Sequence, residues 1–170
     1  HLEKLILHHN EKGHAIDSCV ALLQVSTASR YDEVQQFING QTTFKESKCD
    51  CPENSICKSA KDNCFPSIDF AESKTGKITK SFIPQLVGCY QFLENSKTKI
   101  NREKYSSFLK EVLDPQITTH CLRSFLPNIT LDSRKNLSWK SQHVFHKHYC
   151  QNKTRLFDLF MLFHELDFEY

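Results

Sequence analysis

Cys49, Cys51, Cys57 and Cys64 crowd into the stretch KCDCPENSICKSAKDNCF, whose other side chains are nearly all polar or charged. With so few apolar groups the stretch cannot order itself by packing, so a covalent framework is expected to hold it. Cys89 follows a polar linker, which makes 45–89 a cysteine knot-like region. Cys19, Cys121 and Cys150 are spread along flanking segments of helical periodicity, placed to tie those segments to it. Structural zinc is the competing reason for clustered cysteines. It asks for Cys-x2–4-Cys pairs matched by a second pair or by histidines. Here one residue separates Cys49 from Cys51, six separate Cys57 from Cys64, and no histidine lies between residues 15 and 119. Disulfides, each stabilising by about 2–4 kcal/mol, are therefore expected, and no metal or cofactor is.

An even count of eight cysteines joins three Asn-x-Ser/Thr sequons, at Asn128, Asn136 and Asn152. Together they predict a secreted, extracellular glycoprotein, since disulfides persist in the secretory pathway. The opening HLEKLILHHNEKGH is too charged for a signal peptide, so the chain reads as mature, its leader removed. No apolar run is long enough to span a membrane, so no membrane insertion is expected. Acids and bases are mixed, with a net charge of +2, which gives no strong field for nucleic acid. A length of 170 residues suits one domain over 1–170 with a real core.

Four glycines and five prolines favour helices with short joints over a turn-rich sandwich. Leu2, Leu5 and Ile6 start a helical stripe, and a second runs from Asp17, a candidate N-cap, through Cys19, Val20, Leu22 and Leu23, with Gly13 as the joint. Tyr31, Val34, Phe37 and Ile38 form a third, stopped by Gly40. Residues 67–77 read as a polar loop. A strong helix is expected from Thr79, carrying Phe82, Leu86, Cys89 and Leu93 on one face and tolerating Pro84 in its first turn. Asn101 caps the next helix, which Asp114-Pro115 ends. A short piece, Ile117 to Phe125, carries Cys121. Ser138 can start a helix with Trp139, His143, His146 and Cys150 on one face. Arg155 to Leu166 is apolar nearly all round, so it is either central to the core or part of an interface. The expected fold is all-α, a disulfide-rich bundle of six or seven short helices.

Catalytic motifs are missing: there is no Gly-x-Ser-x-Gly, no His-Glu-x-x-His and no phosphate-cradling glycine loop. His143-Val-Phe-His146-Lys147-His148 faintly resembles one active-site segment of acid–base ribonucleases. Val144 stands where a glutamate is needed, and the partner segment is missing. On a helix His143 and His146 share a face while His148 points away, a poor metal site and a fair buried pair beside Trp139. No calcium loop of the Asp-x-Asp-x-Asp-Gly kind occurs. The chain is not expected to be an enzyme.

Cys51-Pro-Glu-Asn-Ser-Ile-Cys57 resembles the Cys-x-Glu-Asn-x-x-Cys segment of the stanniocalcins, secreted glycoprotein hormones. Cys64 and Cys89 bracket Phe70-Ala71, Gly76-Lys77 and Lys80-Ser81-Phe82-Ile83, similar to a run in that family. Cys19-Val-Ala-Leu-Leu-Gln-Val resembles its first cysteine segment. The resemblance implies bridges Cys19–Cys51, Cys49–Cys64 and Cys121–Cys150, leaving Cys57–Cys89 as the remaining pair. It also implies action by protein–protein binding, in calcium homeostasis and mineral-balance signalling or in metalloproteinase inhibition. The partner would be an extracellular receptor or metalloproteinase. The family's sequon beside the knot is absent, and no cysteine follows Cys150, so any homodimer would be non-covalent, through 155–166. The alternative is a helical cytokine-like secreted immunomodulator, because Ser47-Lys-Cys-Asp-Cys also resembles a segment of interleukin-9.

Overall fold

The computed structural model describes residues 2–13, 15–46, 65–71, 77–97, 99–124 and 149–169, the last span by backbone alone at 149–155 and 157. In chain order the elements are α1 (Leu2–Lys12), α2 (Ile16–Thr27), α3 (Tyr31–Ile38), β1 (Thr42–Lys45), β2 (Ser67–Phe70) and β3 (Ile78–Ser81). They are followed by a 3₁₀ turn (Pro84–Leu86), α4 (Val87–Ser96), α5 (Arg102–Val112), a second 3₁₀ turn (Cys121–Ser124) and α6 (Tyr149–Glu165). The expected all-α, disulfide-rich bundle is thus corrected: the fold is mixed, with a three-stranded antiparallel sheet in the order β1-β2-β3 among the helices. No disulfide is formed among the described residues, where Cys19 and Cys89 stand as free thiols.

Pro84 accounts for the correction. A proline forces the residue before it out of the helical region, and Ile83 is accordingly extended (φ −75°, ψ 143°). No helix can run through Ile83, so Ile78 to Ser81 are free to pair with β2, in the register Ser67↔Ser81 to Phe70↔Ile78. Ser67-Ile-Asp-Phe70 alternates polar with apolar, and Ile68 and Phe70 are the members it buries. Pro84 then opens the 3₁₀ turn, where its missing N–H costs nothing, and the α-helix proper starts only at Val87.

α2 is the centre. All of Ser18 to Thr27 is buried, polar residues included, so each polar side chain must find a partner inside the protein. Gln24 donates to the carbonyls of Ser29 (3.0 Å) and Thr119 (2.8 Å) and accepts from the Tyr105 hydroxyl (2.7 Å). The Ser26 hydroxyl accepts from the Ile83 amide (3.2 Å), pinning the extended segment ahead of Pro84. Thr27 donates to the Leu23 carbonyl one turn back (2.7 Å). The bonds of Gln24 and Ser26 dock α5, the segment after β3 and the segment before the second 3₁₀ turn onto one helix.

The sheet is seated by aromatic rings. Phe37 of α3 and Tyr90 of α4 meet at 6.1 Å between centroids; Phe70 lies 5.5 Å from Phe37, and Phe44 lies 5.7 Å from Tyr90. The Tyr90 hydroxyl also bonds Thr42 of β1 (2.8 Å). On the same face of the sheet, Lys80, opposite Ile68, reaches Glu33 of α3 at 3.0 Å in a largely buried pair, and burial pulls its ammonium below the ordinary lysine value despite that carboxylate. Glu33 also accepts from the Arg30 amide (3.1 Å), so it closes the N-terminus of α3 as well.

Elsewhere the stripes are read correctly. Gly13 (φ +76°) joins α1 to α2 and Gly40 (φ +71°) follows α3, both in the left-handed region glycine favours. Asn101 caps α5 by accepting from the Lys104 amide (3.0 Å). The N-cap of α2 is Ala15, and Asp17 falls inside the first turn. α6 begins at Tyr149, upstream of Arg155, and sends Leu156, Leu159, Phe160 and Phe163 into the chain's own core. Gln85 donates to the Phe160 carbonyl (3.1 Å) and ties α6 to the first 3₁₀ turn.

Two stability measurements test this scheme. Gln24→Leu strands the Tyr105 hydroxyl and two buried carbonyls, and urea unfolding should show a loss of about 3 kcal/mol, against about 1 kcal/mol for Tyr105→Phe. Lys80→Met leaves a buried carboxylate and should cost about 3–5 kcal/mol. Adding Glu33→Gln to it should return much of that loss; a double variant no more stable than the single one would argue against a coupled pair.

Candidate functional site

Two arrangements carry chemistry. The first lies between α1, α2 and α4. The stripe Leu2, Leu5, Ile6 continues at helical spacing to His9, which is fully buried. Its Nδ1 lies 2.9 Å from the Ser18 hydroxyl, and that hydroxyl donates to the Ala15 carbonyl at 3.1 Å. A serine has one hydroxyl proton, so the two contacts of Ser18 are coupled. When that proton goes to Ala15, the oxygen accepts from Nδ1–H and the imidazole lone pair falls on Nε2. The ring stacks on Phe168 (5.1 Å), and the C-terminal segment carrying that phenylalanine is held to α1 through Asn10. Asn10 donates to the Asp167 carbonyl (3.1 Å) and accepts from the Glu169 amide (2.8 Å).

Next to His9 sit Cys19 of α2 and Cys89 of α4, both fully buried thiols. One ligand atom from each of the three residues lies within 4.8 Å of the other two. Cys89 is in hydrogen-bond contact with Cys19; that bond and burial push its thiol far above the ordinary range. Two sulfurs and an imidazole nitrogen so disposed can do one of two things: take a soft or borderline metal ion, or join sulfur to sulfur.

The second arrangement is the frame of the cysteine-dense segment. β1 and β2 pair antiparallel with Lys45 opposite Ser67 and Phe44 opposite Ile68. The chain therefore leaves the sheet and re-enters it at adjacent points. Lys45 closes this end of the ladder further with an ion pair to Asp69 (2.8 Å), which, with a hydrogen bond from Thr79, holds the Asp69 carboxyl below its ordinary value.

Cys49, Cys51, Cys57, Cys64, Asn128, Asn136, Trp139, His143, His146 and His148 lie outside the described residues. Asn152 and Cys150 fall in the first turns of α6, described there by backbone only. Cys121 starts the second 3₁₀ turn with its sulfur 3.2 Å from the Thr118 hydroxyl, and that contact holds its thiol below the ordinary value. The partner that the family resemblance implies for Cys19, Cys51, and the one left over for Cys89, Cys57, are thus not described. What the structure places against Cys19 is Cys89. His9 was not singled out in the sequence, although the stripe at 2, 5, 6 and 9 already put it on the buried face of α1.

No family model, curated protein or solved structure matches this chain.

The tautomer of His9 is directly measurable. Long-range proton–nitrogen NMR on imidazole-labelled protein should show a protonated Nδ1 and a pyridine-like Nε2. In Ser18→Ala the Nδ1–H loses its acceptor and the preference should weaken, with a loss of about 1 kcal/mol in stability.

Proposed function

We propose that this chain is a secreted, non-catalytic glycoprotein that acts by binding an extracellular protein, in the manner of a stanniocalcin-like hormone, and that 46–66 is its recognition segment. The supporting observation is the pairing of Lys45 with Ser67 across β1 and β2. It anchors both ends of a long connection rich in cysteine and charge to a sheet that aromatic rings fasten to α3 and α4. Long connections on a rigid floor are where recognition concentrates, because the floor reduces the ordering cost of binding. Lys58, Lys61 and Asp62 in the segment, and exposed Lys77 beside β3, are the charges it offers.

The partner class is a receptor or a metalloproteinase, with signalling in mineral balance or protease inhibition as the outcome. Asn128, Asn136 and Asn152 carry the glycans in this reading, and no cofactor takes part.

Expression behind a secretory leader tests it. The secreted protein should lose mass with an N-glycanase and change mobility on reduction. Cross-linking to the extracellular protein it captures should map to Lys58 or Lys61. Replacing 47–64 by a short Gly-Ser linker should keep the circular dichroism spectrum and weaken that capture at least about tenfold. Equal capture by the shortened chain would remove the segment from the function.

A further inference from the structure

We infer that Cys19 and Cys89 form a disulfide that crosslinks α2 to α4 in the core. The inference rests on the secreted reading for its oxidising compartment and on geometry for its partners. Both sulfurs are buried and unbonded in this structure, they lie within 4.8 Å of each other, and they come from two helices packed directly on each other. A bond between them requires the two sulfurs to close from that separation to about 2 Å.

A metal ion is the competing occupant. Structural zinc takes four protein ligands; among the described residues His9, Cys19 and Cys89 supply three. Each thiol would also have to surrender its proton in a fully buried place, where the charged form is disfavoured. A disulfide is neutral and asks for no charge in the core. His9 then keeps its bond to Ser18 and its stacking on Phe168, with no change of tautomer.

The oxidation balances with a disulfide-form oxidant, protein or low-molecular-weight, of the secretory compartment. The Cys19 thiolate attacks one oxidant sulfur, breaks its S–S bond and releases one thiolate, forming a mixed disulfide. The Cys89 thiolate then attacks the Cys19 sulfur and releases the second thiolate. The two protons given up by Cys19 and Cys89 end on the released groups, so two protein thiols are oxidised as one disulfide is reduced to two thiols. Because burial suppresses both thiolates and bars access, the exchange belongs to the folding chain, before α2 and α4 close. Once made, the bond is shielded from reductants.

The assignment has a consequence for the recognition segment. With Cys19 and Cys89 joined, Cys49, Cys51, Cys57 and Cys64 have only one another, Cys121 and Cys150 as partners. The bridges Cys19–Cys51 and Cys57–Cys89 are then excluded together.

Peptide mapping of the secreted protein, thiols trapped with N-ethylmaleimide under denaturing acidic conditions, decides it. The expected result is a Cys19 peptide joined to a Cys89 peptide until reduction. The Cys89→Ala variant should then label at Cys19 and leave every other bridge as in the parent. Trapped thiols at Cys19 and Cys89 beside other intact bridges would overturn the crosslink and leave the secreted reading standing. Eight trapped thiols would overturn both. Stoichiometric zinc in the purified protein, lost in His9→Ala, would replace the disulfide by a metal centre. Should Cys89→Ala not be secreted, Cys19→Ala/Cys89→Ala provides the second arm: parent bridges retained and a midpoint lower by roughly 10 °C support the bond, whereas an unchanged midpoint overturns it.

Discussion

A helix buried on every side cannot leave any polar group to water, and α2 is in that position from Ser18 to Thr27. Its apolar residues would allow many docking angles for the surrounding elements. Its polar ones allow few. Gln24 fixes where α5 and the Thr119 carbonyl sit, Ser26 fixes the extended segment before Pro84, and Ser18 fixes the ring of His9. Burial supplies most of the free energy, while these bonds select the arrangement, because a misplaced partner leaves a donor or acceptor stranded in the core. The C-terminal segment completes the enclosure by laying Phe168 on His9.

The sheet depends on that arrangement more than it contributes to it. Each strand has four residues, and three such short strands need packing beneath them to persist. Ile68 and Phe70 provide it by facing the helices, and Phe37, Phe44, Phe82 and Tyr90 fill the space between. The ion pair of Lys80 with Glu33 adds geometry at the strand–helix joint, since a partly desolvated pair tolerates little displacement. The site where the cysteine-dense connection leaves and returns is thus held by side chains that are themselves held by α3 and α4.

The helices were legible because their stripes extend over several turns: α1, α2, α3 and α5 follow the apolar spacing, and Asn101 caps as its chemistry predicts. The strands were not. Four residues give a period of two little room to repeat, and Ile78, Phe82, Leu86, Cys89 and Leu93 happen to fall four or fewer apart, mimicking one helix face. Pro84 was the available signal, and its effect on Ile83 was the decisive part of it: the proline is harmless in a first turn only if the helix starts there and not upstream. The buried site was legible in pieces. His9 continues the stripe of α1, but nothing local to the sequence says that it meets Cys19 and Cys89, because that meeting is a product of how α1 and α4 close on α2. Cysteine spacing alone pointed to the dense stretch and away from the core pair.

The position of the cysteine-dense connection also bears on why a core crosslink is useful. It lies between α2 and α4 in the chain, so any length it adds enlarges the loop that must close before those two helices can pack. The closure cost grows with the logarithm of that length, and a polar segment returns little apolar burial in exchange. A bond between Cys19 and Cys89 removes this cost from folding by restricting the unfolded chain as well. The core could then carry a long, polar connection without its own stability depending on what that connection contains.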